Sequence, residues 1–214
     1  ADDRLRVLLP GWKTSAKATY GSPAWEMLTI ADEFKPDLIV VGSQGQSTIG
    51  RIVLGSISQK ILTEANCSVR VARGRIEVDP APARLIVGFD GSAGANAAVK
   101  AVLDRNWPEG TELHLVAATD SIVPTAIGRF IPPVADWAEN ELRSEYEWVA
   151  TMAEKTARAI TKAGLKVTTR IVEGDPKRIL AYEAENWHAD CIFVGANAYG
   201  SRIERFLLGS TSAA

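Results

Sequence analysis

An internal repeat constrains this chain more than any other feature. Sliding the sequence by 153 positions lays Gly11 on Gly164, Lys13 on Lys166, Gly21 on Gly174, Pro23 on Pro176, Ala31 on Ala184 and Asp37 on Asp190. The apolar run Leu38–Val41 falls on Cys191–Val194, and Gly42 on Gly195. One extra residue then enters the second copy. At an offset of 154, Arg51 meets Arg205, Leu54 meets Leu208 and Gly55-Ser56 meets Gly209-Ser210. Chance coincidences would not keep glycines, a proline and apolar runs ordered in one register. The chain is read as two copies of one structural unit. Its 214 residues then amount to about one and a half copies of a unit of roughly 140–150 residues, within the usual domain range.

Each copy alternates strand and helix patterns. Leu38–Val41, Cys191–Val194 and Leu85–Phe89 are short apolar runs that end in or contain glycine, the signature of parallel strands buried on both faces. Glu112–Ala118 and Lys166–Val172 read as further strands. After the latter, Gly174-Asp175-Pro176 turns the chain and opens a helix with proline near its first position. Ser15–Tyr20 before Gly21-Ser22-Pro23 repeats that arrangement and predicts another strand. Helices are predicted near Ala24–Phe34, Ser56–Ala65, Ala93–Arg105, Val134–Ala163 and Lys177–Trp187. Strands alternating with helices predict an α/β fold, a three-layer doubly wound parallel sheet with right-handed crossovers, here in tandem. Residues 1–73 are expected to form the C-terminal half of a first domain. Residues 74–83, with Gly74, Pro80 and Pro82, read as a linker, and residues 84–214 as a second domain lacking its last helix and strand.

Charge and composition exclude some partners. A net charge of −2 from 24 basic and 26 acidic residues gives no bias toward nucleic acid or a membrane surface. No apolar run approaches the roughly 20 residues that span a bilayer. Cys67 and Cys191 have no metal-type spacing and fit a reducing cytoplasm. His114 in a strand and His188 in a turn have no Ser, Cys or carboxylate series beside them, so both are read as packing or surface residues. Trp137 and Trp148 read as packing anchors of the long helix, and Trp12, Trp25, Trp107 and Trp187 as helix-end contacts. Ser121–Pro133 reads as a loop near the mouth of the site. No catalytic or metal-ligating set emerges.

Ligands in doubly wound sheets bind beyond the carboxyl ends of the strands. Two segments lie there. In the turn Gly88-Phe89-Asp90-Gly91-Ser92, a carboxylate at the strand end is able to accept hydrogen bonds from an adenine amino group or a ribose hydroxyl. The plainer alternative is that Asp90 or Ser92 caps the next helix. The segment from Gly42 to Ser56 is glycine-rich, and Gly55-Ser56 opens a helix whose free N–H groups favour anions. Its spacing is neither that of a Walker loop nor that of the dinucleotide fingerprint. Taken alone, it fits a purely structural loop better than a ligand site.

Together these segments resemble the universal stress protein family. The strand followed by Gly42-x-x-Gly45, nine residues and Gly55-Ser56 is similar to that family's nucleotide motif, and Val87-Gly-Phe-Asp90-Gly-Ser92 to its first strand and turn. The Gly-Ser/Asp-Pro turns and Asn66-Cys-Ser-Val69 agree. The resemblance implies a Rossmann-like, adenine nucleotide alpha hydrolase-like sheet in a cytoplasmic stress-response protein. It also implies binding of ATP, with AMP or ADP as alternatives and Mg accompanying ATP, and pairing as a homodimer or intramolecular pseudo-dimer. Asp90 would contact the adenosine. Gly195, Gly209 and Ser210 would hold phosphates in the second copy, and Gly42, Gly45, Gly55 and Ser56 in the first.

This sequence departs from the family pattern in two places. In the second copy Ala198 replaces a motif glycine and one residue is inserted, with Gly200 nearby to take over the backbone role. The first copy keeps the motif, but no Asp turn precedes it. In the family the strands run three-two-one-four-five. The first copy would lack strands one and two, and the second its last helix and strand, so both sheets are expected to be completed by further chain or by swapping. Three functions follow: a nucleotide-binding sensor without dedicated catalysis, an interaction module with a degenerate second site, or a slow ATPase.

Overall fold

Local backbone geometry recurs at the spacing of the sequence repeat. In the computed structural model, which describes residues 2–43, 54–72, 81–119 and 132–196, Gly11 and Gly164 have φ of 88° and 93°, and Gly21 and Gly174 of 133° and 131°. Glycine alone adopts such angles without a side-chain clash. Lys35 and His188 each close a helix in the left-handed conformation, their N–H groups donating to the carbonyls of Ala31 and Ala184. The helices so closed, Pro23–Phe34 (α2) and Pro176–Trp187 (α6), both open on proline. Equivalent residues thus start and stop equivalent helices.

The chain divides into two compact units, Ala1–Arg75 and Ile76–Ala214. In the first, a short helix Asp2–Leu8 (α1) and α2 precede strand Leu38–Gly42 (β1), helix Ser56–Glu64 (α3) and strand Ser68–Ala72 (β2). β1 and β2 pair in parallel, with Leu38 opposite Ser68 and Gly42 opposite Ala72. Ala24 of α2 and Ile61 of α3 pack against Ile39 and Val41. Both helices use one face of the sheet, so Leu38 and Val40 stay exposed. This corrects the expectation that the Leu38–Val41 run is buried on both faces. Ser15–Tyr20 is likewise not a strand. A strand exists only through ladder bonds to a neighbour, and among the described residues none pairs with this segment.

The second unit runs strand Arg84–Gly88 (β3), helix Ala93–Leu103 (α4), strand Glu112–Thr119 (β4), helix Pro132–Lys162 (α5), strand Lys166–Glu173 (β5), α6 and strand Cys191–Phe193 (β6). All four strands are parallel, in the order β5-β4-β3-β6. β3 is buried on both faces, as its apolar run predicts. Leu85 and Val87, with Leu113 and Leu115 of β4, pack against Val99 and Val102 of α4 and Ala153 and Ile160 of α5. On the opposite face Ile86 and Val116 meet Leu180 of α6. These are the three layers. β6, paired among the described residues with β3 alone, leaves Ile192 partly exposed, unlike the two-faced burial expected of that run. The chain leaves β3 toward β4 on one side and returns to its other side through β6. The carboxyl end of β3 is therefore the switch point at which doubly wound sheets bind ligands.

A polar island interrupts the α6 face. The His114 ring stacks on Trp187 at 3.4 Å between centroids and 9° between planes. Beside it, Arg170 of β5 pairs with Glu183 of α6 at 3.0 Å. His114 Nδ1 is buried without a hydrogen-bond partner among the described residues. Burial holds this imidazole below its ordinary range. Arg170 pushes it the same way, and Glu183 and Glu112 oppose in part. A depressed histidine favours the folded state when neutral, so its contribution is full above about pH 6.5 and lost as pH falls below that. Urea titrations at pH 7.5 and 5.5 are expected to show a drop in stability that shrinks in His114→Phe. An identical drop in both proteins would contradict this.

Candidate functional site

The site is built where β3 hands the chain to α4. Phe89 extends the strand pairing by one bond, its N–H donating to the Val116 carbonyl at 2.8 Å, and its ring is buried. Asp90 then emerges at the surface. Its Oδ1 accepts the Ser92 N–H at 2.9 Å, which tightens the turn around Gly91 (φ 75°). Ser92 is the N-cap of α4, its Oγ accepting the Ala95 N–H at 3.1 Å. Asn96 Nδ2 donates to the Ser92 carbonyl at 2.9 Å. The capping role raised by the sequence is therefore real for Ser92, while Asp90 fastens the turn and remains exposed.

Asp90 and Ser92 line an open cleft. Val116 and Ala118 of β4 and Pro176 and Leu180 of α6 form apolar walls, and Val194 and Gly195 lie beyond β6. Gly88 lies at the base. A Cβ there would come within 3.1 Å of Leu180 Cδ1 and 3.2 Å of Val194 Cγ1, so the glycine lets these side chains close beneath the cleft.

Gly195 is a glycine for a reason the sequence did not show. A Cβ on it would fall 2.1 Å from the carbonyl carbon of Gly94 and 2.3 Å from its oxygen. A Cβ on Gly94 would meet the Ala196 carbonyl oxygen at 2.8 Å. The chain beyond β6 thus lies backbone to backbone on the first turn of α4. Gly94 was not singled out by the sequence. The nearest signal was a glycine two residues after a cap, where helix propensity disfavours it.

The first unit brings together part of its own glycine motif. The Gly55 N–H donates to the Ser43 carbonyl at 2.9 Å, and Ser58 Oγ to the Gly42 carbonyl at 2.7 Å. Gly42 at the end of β1 is thereby held beside Gly55 and Ser56 at the start of α3. Gly45, Ala198, Gly200, Gly209, Ser210 and the segment 121–131 lie outside the described residues.

Among its described residues the cleft offers one carboxylate, one hydroxyl and apolar walls. That set suits a flat ligand with apolar faces and hydrogen-bond donors at its edge. Among the described residues, no histidine or cysteine lines it to act as base or nucleophile. Among the described residues no three His, Cys, Asp or Glu side chains are placed to hold a metal ion, and no helix is long and apolar enough to cross a membrane.

The sequence model of the universal stress protein family matches residues 6–73 and 83–214. A universal stress protein of Mycobacterium tuberculosis is 28% identical over 215 aligned residues, covering 99% of this chain, which spans 66% of that relative's length. One from Mycolicibacterium smegmatis is 28% identical over 188 residues, covering 86% of this chain and 60% of its own. The crystal structure of a universal stress protein from Archaeoglobus fulgidus superposes with a TM-score of 0.59 at 22% identity, covering 99% of this chain and 72% of the other.

Proposed function

The chain belongs to the universal stress protein family, and we propose that the cleft of its second unit binds an adenine nucleotide as a sensor or regulatory ligand, without dedicated catalysis. The observation that carries this reading is Asp90, exposed at the rim of an apolar-walled cleft at the carboxyl end of β3. The base would lie between the apolar walls, and the Asp90 carboxylate would accept hydrogen bonds from the ribose hydroxyls or the adenine amino group. Gly195, Gly209 and Ser210 would approach the phosphates here, and Gly42, Gly45, Gly55 and Ser56 those of a first-copy site. ATP is the proposed ligand, with AMP or ADP as smaller alternatives and Mg accompanying ATP. The two domains are taken as residues 1–73 and 84–214 joined by 74–83, working in the cytoplasm as a homodimer or intramolecular pseudo-dimer.

Calorimetric titration with ATP and AMP is expected to give a micromolar Kd, about −8 kcal/mol. Asp90→Ala is expected to weaken it roughly 10- to 100-fold, the worth of a charge-assisted hydrogen bond. No heat with either nucleotide would reject the proposal. A second reading, an interaction module whose second site no longer takes nucleotide, is favoured by Ala198 and the inserted residue. Unchanged binding in Asp90→Ala with loss in Gly45→Ala would select it.

A further inference from the structure

The turn that presents Asp90 is held from two sides. From α4 come the Ser92 cap and the Asn96 amide. From α5 comes Trp148. A Cβ on Gly91 would lie 2.5 Å from Cη2 of Trp148 and 3.0 Å from its Cζ3. The far edge of the indole therefore rests directly on the Gly91 α-carbon. Asp90 and Ser92, on either side of Gly91, line the cleft, and Trp148 is not among its described lining residues.

Two features separate Trp148 from an ordinary packing residue. It is 49% exposed, whereas Ala153 and Ile160 on the same helix are buried and carry the packing of α5 against the sheet. Half of the largest apolar side chain thus remains in water, and its contacting edge goes to the turn. Gly91 is also the freest joint of the turn, at φ 75°. A rigid ring laid on its α-carbon removes much of the motion that glycine permits, and no side chain other than hydrogen fits beneath the ring.

We propose that Trp148 is a positioning residue of this site, clamping the Asp90–Ser92 turn so that the Asp90 carboxylate faces the cleft in one orientation. This rests on the nucleotide reading of the cleft for its consequence, though the clamp itself does not. The indole touches the turn and not the ligand. Its effect on affinity passes through Asp90, because a carboxylate held in place loses less freedom when a ligand binds.

The test uses the full chain with Trp148→Ala, Trp148→Phe, Asp90→Ala and the Trp148→Ala/Asp90→Ala pair. Trp148→Ala is expected to weaken AMP binding about tenfold, with partial recovery in Trp148→Phe, and to add nothing in the Asp90→Ala background. Without nucleotide, the Ser92 amide, bonded to Asp90 Oδ1, is expected to exchange faster in Trp148→Ala while the Val87 and Leu115 amides do not. Unchanged exchange at Ser92, or a loss of affinity that adds fully to that of Asp90→Ala, would overturn the proposal. If the unaltered protein takes up no AMP, the nucleotide reading falls and Ser92 exchange alone decides the clamp.

Discussion

Gly195→Ala is expected to destabilise the second unit by about 3 kcal/mol or more, and Gly42→Ala, its partner in the repeat, to change the first by less than about 0.5 kcal/mol. The added atom is the same, and only what it meets differs. At Gly195 it would fall 2.1 Å from the carbonyl carbon of Gly94 and 2.5 Å from the nitrogen of Ala95. These are backbone atoms in the first turn of a packed helix, so no side-chain rotation relieves the overlap. Either the chain beyond β6 or α4 must move. At Gly42 no described atom lies within 4 Å of the added carbon. A loss of about 3 kcal/mol is a large share of the roughly 5–15 kcal/mol that holds a typical domain. Urea unfolding followed by amide exchange in each unit separates the two effects. Equal losses at both positions would contradict the assigned contact.

Arg170→Met is expected to cost about 1–3 kcal/mol, more than Glu183→Gln. The asymmetry follows from burial. Glu183 is 4% exposed, whereas the Arg170 side chain is 50% exposed. Removing the arginine leaves a carboxylate in a desolvated place beside the His114–Trp187 stack. Removing the carboxylate leaves a guanidinium that water reaches. Methionine keeps most of the arginine stem's apolar contact, so the comparison isolates the charge. Thermal unfolding of both variants at neutral pH measures it, and a larger loss for Glu183→Gln would contradict the account.

Local chemistry was legible in the sequence wherever it decided the outcome. The glycines at 11, 21, 164 and 174, the prolines at 23 and 176 and the 153-residue offset anticipated turns and helix starts that recur in the backbone. The runs around Leu85 and Leu113 anticipated the buried centre of the sheet. Features that depend on a distant neighbour were not legible. Ser15–Tyr20 has the alternation of a strand but no ladder partner among the described residues. Leu38 and Val40 belong to an apolar run whose packing helices both lie on the other face. The contact of Gly94 with Gly195 joins residues 101 positions apart. Glu183 lies in a helix whose composition gives no sign that one carboxylate is buried. For the site, the turn alone left Asp90 open between a ligand contact and a helix cap and made Ser92 a cap candidate, because strand ends and caps are local signals. Trp148 was noticed only as a packing anchor, and its place on Gly91 is a product of how α5 crosses the sheet.

The central claim is that the cleft beyond β3 takes an adenine nucleotide against Asp90. Backbone amide NMR of the full chain titrated with AMP tests it most directly, since the shifts report where the ligand sits. The account predicts saturable shifts at Phe89–Ser92, at Val116 and Ala118 and at Leu180, and their loss at the same AMP concentrations in Asp90→Ala. Shifts absent at saturating AMP, or confined to residues away from this cleft, would contradict it.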